Sequence, residues 1–348
     1  MCRIVSAMIL CSLRNINLPN TNDTNLPNVN DTNLTNANDT HANKITIPVA
    51  VSIVAASCRQ PRNLVRVVNL CRSPSTNGSG VQYAANFSVC VPPVFGNFDD
   101  VSDLVEFIEV NRVLGAQKFL FYVHSVGSRV DPCLREYVRR GTINIQPWKL
   151  PADVARVIYY NGQILAMNEC LYRMMYRTKY LIIQDVDEFV VPMTADNWMS
   201  MINRINNDSS AAKAERIASY SFRNRFFPTE FPKTSNFTPP SILQHPFKTL
   251  VFLRAHKGLS AFNDRSKVMA RPERVVIWHV HVILDSSLVR TGDINAKVSA
   301  NFAQLFHYRR GLGAGNTIEV SRMNTFAESI QRRLRVATVI ICITGDYL

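Results

Sequence analysis

Two hydrophobic periods alternate along the chain from about residue 81 onward. Continuous apolar runs of strand length alternate with stretches whose apolar residues recur at helical spacing. Strands are predicted at NFSVCVPPVF (86–95), KFLFYVHS (118–125), INIQPW (143–148) and the run that begins KYLII (179–183). Helices are predicted at 99–115, 130–141 and 161–178. This alternation predicts an α/β fold, with a mostly parallel central sheet flanked by helices on both faces.

The two ends of the chain carry shorter apolar runs. Residues 1–16 include about ten mostly apolar positions, too few for a membrane-spanning helix, which needs about 20. They favour the apolar part of a signal peptide, or the remnant of a membrane anchor. The run RVATVIICITGDYL (335–348) is also too short to span, and we interpret it as a core strand.

An eight-residue repeat separates the N-terminal run from the patterned region. Residues 17–40 read NLPNTNDT, NLPNVNDT and NLTNANDT. One isolated Leu per repeat cannot build a buried face, so residues 17–80 are predicted to be a disordered stalk and linker. The remaining predicted divisions are a folded domain at 81–320 and a C-terminal tail at 321–348.

Deleting residues 17–44 is expected to leave the Tm of the remaining chain unchanged, because the repeat offers almost no apolar area to bury. Thermal unfolding of the full chain and the deletion variant measures this. A decrease of several degrees would show that the repeat packs on the folded domain.

Charge and cysteine content restrict the functional classes. The formal net charge is +13, and Arg-Arg pairs at 139–140, 309–310 and 332–333 are spread along the chain. This indicates a basic surface, or attraction to a polyanion or a nucleotide phosphate. No helix-turn-helix or RNA-binding signature is present, so no nucleic-acid partner is expected. Eight cysteines occur without a Cys-x-x-Cys pair, so a structural zinc site is not expected.

Glycosylation sequons point to the secretory pathway. Asn-x-Ser/Thr sequences lie at Asn22, Asn30, Asn33, Asn38, Asn77, Asn86, Asn207 and Asn236. Four of them come from the repeat and are not independent. The others still favour a secreted or lumenal chain, in which some cysteines can pair, although the sequence selects no pairing.

Three carboxylates follow the apolar strand at 179–183: Asp185, Asp187 and Glu188. Such a cluster repels itself, so either a cation stabilises it or water surrounds it at the strand end. On a strand, Asp185 and Asp187 would share one side. Two carboxylates there can hold Mn²⁺ or Mg²⁺ together with a substrate diphosphate. The alternative is a solvated strand end without a metal.

The segment from about Cys90 to Arg309 resembles glycosyltransferase family 92. The resemblance rests on VCVPPVFGN, LVEFIEVNRVLGAQKFLFYVHS, LREYVRRGTINIQPW, GQILAMNECLYRMMYRTKYLIIQDVDEFVVP, RSKVMARPERVVIWHVH and FHYRRG, in that order. It implies a GT-A-like nucleotide-sugar-binding fold. It also implies an inverting, UDP-sugar-dependent hexosyltransferase that acts on a glycan of a glycoprotein or glycolipid, with galactose as the expected sugar. The implied location is the Golgi lumen, held by a single N-terminal membrane helix.

The resemblance also assigns residues to the site. Asp185 and Asp187 match the acids that bind metal and diphosphate, and Glu188 completes the Asp-x-Asp-Glu element. His281 matches a histidine that we assign to the metal site. His307, Tyr308 and Arg309 form the His-Tyr-Arg element.

The residues themselves suggest further roles. Arg309 and Lys267 are candidate contacts for phosphate oxygens. His279 and His281 alternate on a strand-like run and would face one side. Displacement at a sugar carbon needs a base, for which Asp264, Glu273 and Asp285 are candidates that the sequence does not separate.

Two other functional classes compete with the transferase hypothesis. Haloacid-dehalogenase-type phosphatases also end an apolar strand in Asp-x-Asp, but on the first strand, and with Thr or Val where this chain has Phe189. A non-catalytic secreted glycoprotein with a degenerate transferase domain is the third hypothesis. Its support is the short apolar N-terminal segment and the few residues that follow the His-Tyr-Arg element.

Overall fold

The computed structural model describes residues 82–151, 158–230, 247–311 and 315–341, together with 50–51, 65–66, 154 and 313. The chain divides into one unit at 7–72 and a second that contains 1–6 and 73–348. In the first unit, strands 50–51 and 65–66 form an antiparallel pair. The predicted N-terminal segment at 1–16 and the repeat at 17–40 lie outside the described residues. The predicted divisions at 16, 80 and 320 stay predictions.

The strands are β1 (Ala50–Val51), β2 (Val65–Arg66), β3 (Ala85–Val94), β4 (Lys118–Val123), β5 (Ile143–Pro147), β6 (Thr178–Ile183), β7 (Glu188–Pro192), β8 (Ile217–Phe222), β9 (Asn224–Pro228), β10 (Arg254–His256), β11 (Lys267–Ala270), β12 (Ile294–Lys297), β13 (Ala303–Arg309) and β14 (Thr317–Glu319). The α-helices are α1 (Val101–Leu114), α2 (Val130–Arg139), α3 (Gln163–Met174), α4 (Trp198–Asn207), α5 (Ala211–Arg216), α6 (Lys248–Val251) and α7 (Ala327–Ile341).

A seven-stranded sheet organises the larger unit. Its strand order is β12-β8-β11-β6-β3-β4-β5. Strands β6, β3, β4 and β5 run parallel to one another, whereas β11 runs antiparallel to both of its neighbours. The predicted α/β class, with a mostly parallel central sheet, is confirmed.

Local signals in the sequence explain where the first helix begins and ends. The Asp100 carboxylate accepts a hydrogen bond from the backbone N–H of Asp103, at 2.9 Å, and caps the N-terminus of α1. Gly115 follows the last turn with φ of 132°, a conformation that favours glycine. The predicted helix, 99–115, begins two residues before the observed one and ends one residue after it.

Helices cover both faces of the sheet, as predicted. Side chains on β6 alternate, so that Tyr180 and Ile182 join the larger core with α1, whereas Leu181 and Ile183 join the smaller core with α3. In the smaller core, a disulfide joins Cys90 on β3 to Cys170 on α3. The sequence left this pairing open.

A second, three-stranded sheet has the order β7-β13-β9. Strand β13 runs antiparallel to β7 and parallel to β9. Because β7 follows β6 after only four residues, the chain leaves the large sheet and enters the small one within a single turn. The prediction of a strand that continues through the acids is therefore wrong: residues 184–187 connect two strands.

The interpretation of the C-terminal apolar run as a strand is also wrong within the described residues, where 327–341 form α7. Ile330, Leu334 and Ala337 recur at helical spacing and are buried in the larger core. Arg333 also donates a hydrogen bond to Glu109 on α1, at 2.8 Å. Burial of this helical face against the core explains why its β-branched residues do not form a strand.

Glu106 joins α1 to the short helix α6. Its two carboxylate oxygens accept hydrogen bonds from the backbone N–H groups of Lys248, at 3.0 Å, and Thr249, at 2.7 Å. The side chain is buried, and burial raises the pKa of Glu106 to about 7, against an ordinary value of 4.5. The folded state therefore holds this proton at pH values where the unfolded state has lost it.

The free energy of unfolding of the wild-type chain should fall relative to that of Glu106→Gln as pH rises from 4.5 through about 7. The sign follows from linkage, since the folded state binds more protons than the unfolded state across that range. We expect a relative change of about 1–3 kcal/mol. Denaturant unfolding at several pH values measures it, with the exposed Glu328→Gln as control. Parallel pH curves for wild type and Glu106→Gln would contradict this assignment.

Candidate active site

The acids lie in a tightly bonded turn at the carboxyl end of β6. Gln184 is buried, and its backbone N–H donates to the carbonyl of Cys90 at 3.1 Å. Its side-chain amide donates to the Asn111 side chain, at 2.9 Å, and to the Glu188 carbonyl, at 2.8 Å. The Glu188 N–H in turn donates to the Asp185 carbonyl at 3.1 Å. These bonds fix the positions from which the three carboxylates extend.

A cation stabilises two of the three carboxylates, and it is the side chain of Lys267. Its ammonium lies 2.9 Å from Asp185 Oδ2 and 3.0 Å from Glu188 Oε2. The Lys267 and Glu188 side chains are each only 3% exposed, so this is a buried ion pair. Lys267 reaches the turn because it begins β11, which pairs with β6.

Burial and pairing act in opposite directions on these groups. Burial alone would lower the pKa of Lys267, but the charges of Asp185 and Glu188 outweigh it and hold the pKa above its usual value. Burial alone would raise the pKa of Asp185, but the Lys267 charge lowers it overall. Burial raises the pKa of Glu188, and the Asp185 charge adds to this effect. The cluster is therefore stabilised as a network and not as three solvated acids.

His307 contacts the turn from the second sheet. Its Nε2 lies 3.3 Å from Asp187 Oδ2, and its Nδ1 lies 3.5 Å from Glu188 Oε1. Burial alone would lower the pKa of His307, but the bond to Asp187 and the charge of Glu188 raise it overall. His307 pairs directly opposite Glu188 across strands β13 and β7. The strand register thus brings the predicted His-Tyr-Arg element onto the acid cluster.

Exposure separates the three acids by role. The side chains of Asp185 and Asp187 are 42% and 33% exposed, whereas Glu188 is buried. Glu188 therefore belongs to the framework of the turn, and Asp185 and Asp187 face solvent. Each of these two aspartates uses one carboxylate oxygen, Oδ2, for the neighbouring cationic side chain.

This donor set fits a divalent cation that is shared with a substrate. In the part of the chain that the structure describes, no three His, Cys, Asp or Glu side chains form a self-sufficient metal site. Two exposed carboxylates are nevertheless what Mg²⁺ or Mn²⁺ requires when substrate phosphates supply further oxygens. Asp185 and Asp187 would hold the cation in this arrangement.

His281 lies beside the cluster but not on a strand. Its Nδ1 lies 3.3 Å from the Ser266 carbonyl, and burial, with the Lys267 charge, lowers its pKa. Residues 276–283 form a loop, so the prediction that His279 and His281 alternate on a strand is wrong. Hydrogen bonds between the Trp278 backbone and the Asn168 side chain hold this loop on α3. The assignment of His281 to the metal stays a prediction.

The structure brings some of the remaining predicted site residues near the turn. Arg309 is exposed, two positions beyond His307 on β13, and so extends from the same side of that strand. Asp264 is exposed in a turn near Lys267, and its charge influences His281.

The other two candidate bases, Glu273 and Asp285, each accept a hydrogen bond from another side chain. Glu273 accepts a hydrogen bond from the Tyr83 hydroxyl at 3.2 Å. Tyr83 precedes β3, so Glu273 is at the amino edge of the parallel strands, opposite the acid turn. Asp285 accepts a hydrogen bond from Asn295 on β12, at 2.6 Å. Glu273 is therefore not placed to share a substrate with Asp187, and the assignment of Asp285 as a base stays a prediction.

Sequence reasoning missed two buried polar side chains that support the site. Gln184 orders the turn, and Asn224 places its amide nitrogen 3.2 Å from His307 Nδ1. Gln184 carried a signal, because a polar residue interrupts an apolar run there. Asn224 carried none, because its role depends on the pairing of β9 with β13.

The chain belongs to glycosyltransferase family 92, whose sequence profile matches residues 85–338. This confirms the predicted family. Over 114 residues the chain is 34% identical to the β-1,4-galactosyltransferase galt-1 of Caenorhabditis elegans, covering 32% of this chain and 27% of that protein. It is 26% identical over 121 residues to the family 92 protein F13G3.3 of the same organism, covering 32% and 24%. The chain spans about a quarter of the length of these curated relatives.

Among solved structures, similarity extends to glucosyl-3-phosphoglycerate synthase from Mycobacterium tuberculosis in complex with Mn²⁺ and UDP. The sequence identity is 11%, the TM-score is 0.30, and the match covers 75% of this chain and 81% of that one. A similarity this low supports no argument about the site.

Among the residues that the structure describes, none belong to a helix with the length and apolar character needed to cross a bilayer.

Proposed function

We propose that this protein is a metal-dependent hexosyltransferase that transfers galactose from UDP-galactose to a hydroxyl of a glycan acceptor. The observation that carries the proposal is the acid turn: two solvent-facing carboxylates at the carboxyl end of a central parallel strand. In open α/β sheets, ligands bind beyond the carboxyl ends of the strands. Membership in family 92 supports glycosyl transfer as the reaction class. The galactosyltransferase name of one relative motivates the choice of sugar.

Asp185 and Asp187 would hold Mn²⁺ or Mg²⁺ against the diphosphate of the donor. When bound, such a cation neutralises negative charge on the diphosphate. Lys267 and His307 act on the two aspartates and not on the substrate, because their nitrogen atoms contact the carboxylates directly. They position Asp185 and Asp187 and limit the repulsion between them. Arg309 is exposed and is the proposed contact for a phosphate oxygen.

The acceptor hydroxyl needs a base if transfer proceeds by direct, inverting displacement. Of the three predicted bases, Asp264 is the one near the acid turn, and we propose it for this role. Its exposed carboxylate lies close enough to His281 for its charge to influence that histidine. Glu273 is not carried into the proposal, because its hydrogen bond with Tyr83 places it at the opposite edge of the sheet. Asp285 is not chosen, because its carboxylate already accepts a hydrogen bond from Asn295.

We propose a lumenal location in the Golgi or another compartment of the secretory pathway, with single-pass membrane attachment. Support comes from the sequons in the sequence and from the Cys90–Cys170 disulfide, since disulfides persist in oxidising compartments.

A donor panel tests the proposal. The purified full chain is incubated with UDP-galactose, UDP-glucose and UDP-N-acetylglucosamine, with Mn²⁺, and with galactosylated and fucosylated glycans as acceptors. We expect transfer from UDP-galactose that is lost on addition of a chelator and restored by excess Mn²⁺. No transfer and no donor hydrolysis with any sugar nucleotide would favour the non-catalytic hypothesis. Full activity in chelator would exclude the proposed metal.

A further inference from the structure

Arginines that are distant in the sequence meet in one cavity of about 420 Å³. Its lining includes Arg112 from α1, Arg140 from the end of α2, and Arg332 and Arg333 from α7. Two of the three Arg-Arg pairs in the sequence therefore contribute to the same place. We call it the arginine cavity.

The arginine cavity is separate from the acid turn. Thr142, which lines it, immediately precedes β5 and so lies at the amino ends of the parallel strands. The acid turn follows β6 and lies at the carboxyl ends. The two places are on opposite edges of the sheet, so the cavity is not part of the proposed donor site.

A buried carboxylate organises the guanidinium groups. The Glu109 side chain is 3% exposed and accepts hydrogen bonds from Arg112, at 3.0 Å, and from Arg333, at 2.8 Å. The Tyr137 hydroxyl also donates to it, at 3.0 Å. Burial, with the Glu109 charge, raises the pKa of Tyr137, so this hydroxyl stays a donor. One acid thus fixes two arginines side by side.

Positive charge exceeds negative charge around the cavity. Glu109 is shared by two arginines, and Glu136 pairs with Arg140 and with Arg139. Arg332 is exposed and forms no ion pair with any residue in the described parts of the chain. Four lining arginines therefore face two carboxylates. Like charges held together in a partly enclosed space favour an anion.

We propose that the arginine cavity binds a ligand that carries two or more phosphate groups, either a free phosphate ester or the headgroup of a phospholipid. Guanidinium groups bind phosphate oxygens in pairs, and several fixed arginines favour phosphate over a single carboxylate. The volume lies within the range of small-ligand sites. Val336 and Ala337 add an apolar part to the lining, which suits a carbon chain attached to the phosphates.

Binding of inorganic pyrophosphate to the full chain, measured by calorimetry in the presence of a chelator, tests the proposal. The chelator removes metal-dependent binding at the acid turn. We expect saturable binding that weakens about tenfold in Arg332→Glu, because one charge-assisted contact is replaced by repulsion. Arg332→Gln should also weaken pyrophosphate binding, but by a smaller factor than Arg332→Glu. Arg332 is exposed, so both variants should keep the wild-type Tm.

Arg335→Glu is the matched control. It makes the same charge change on the same helix, but Arg335 does not line the cavity. Its affinity for pyrophosphate should stay within about twofold of wild type. Absence of saturable binding, or equal loss in Arg332→Glu and Arg335→Glu, would overturn the proposal.

Binding to vesicles distinguishes a phospholipid headgroup from a free phosphate ester as the ligand. Phosphatidylcholine vesicles with and without phosphatidylinositol bisphosphate are sedimented with wild type, Arg332→Glu and Arg335→Glu. Recruitment by phosphatidylinositol bisphosphate that depends on Arg332 assigns the cavity to a lipid headgroup. Pyrophosphate binding without such recruitment assigns it to a soluble phosphate ester.

Discussion

Asp187→Asn is expected to lower kcat for sugar transfer by about 100-fold or more, because it removes an anionic ligand from the proposed metal site. Asparagine keeps the size of the side chain and an oxygen that can accept a hydrogen bond from His307. The folded structure should tolerate the change, since Asp187 is partly exposed. The change also removes repulsion between Asp187 and the neighbouring carboxylates. We expect the free energy of unfolding to change by less than about 1 kcal/mol.

Steady-state kinetics with UDP-galactose and titrated Mn²⁺ measure this effect. Asp196→Asn is the control, because it removes an exposed carboxylate that is not part of the acid turn. If Asp187→Asn keeps the kcat and the metal dependence of the wild type, Asp187 is not a metal ligand. The solvent-facing position of Asp185 and Asp187 would then have a cause other than metal binding.

Lys267→Met is expected to destabilise the fold by about 3–5 kcal/mol, because it leaves the buried Glu188 carboxylate without its cation. The ammonium also supports Asp185, at 2.9 Å, so the loss affects both acids. In a domain of this size we expect the Tm to fall by about 10 °C. Lys213→Met, at an exposed position on α5, should have little effect.

A double variant shows whether charge or packing causes the loss. Lys267→Met combined with Glu188→Gln removes both buried charges and should recover a large part of the stability. The cost of Lys267→Met alone should also shrink at acid pH, where protonation of Glu188 removes the uncompensated charge. If the single variant unfolds within about 1 kcal/mol of wild type at neutral pH, the ion pair is not a structural element.

The strands and helices from residue 85 to 183 could be predicted from the sequence, because their signals are local. Apolar runs, a helical stripe, the Asp100 cap and Gly115 each act within a few residues. The turn at 184–187 could not be placed, since apolar residues continue on both sides of it. The hydrogen bonds from Gln184 to Cys90 and Asn111 decide that the chain changes sheets there.

The conformation of the C-terminal apolar run could not be predicted from local sequence either. Its β-branched residues favour a strand by intrinsic preference, but such preferences are small and depend on context. Burial of Ile330 and Leu334 in the core stabilises the helix instead. A single sequence does not show which surface will cover an apolar segment.

The sequence by itself determined the α/β class and the place of Asp185 and Asp187 after a central strand. Periodicity and chain order are sufficient for both, because parallel strands bring their carboxyl ends to one edge. Only the tertiary structure decided which cations meet those acids. Lys267 and His307 arrive from 82 and more than 100 residues away, through the pairing of β11 with β6 and of β13 with β7. The arginine cavity depends on tertiary packing in the same way. Contacts of this kind depend on strand register and helix packing, which arise from burial summed over the whole domain and leave no local pattern in the chain.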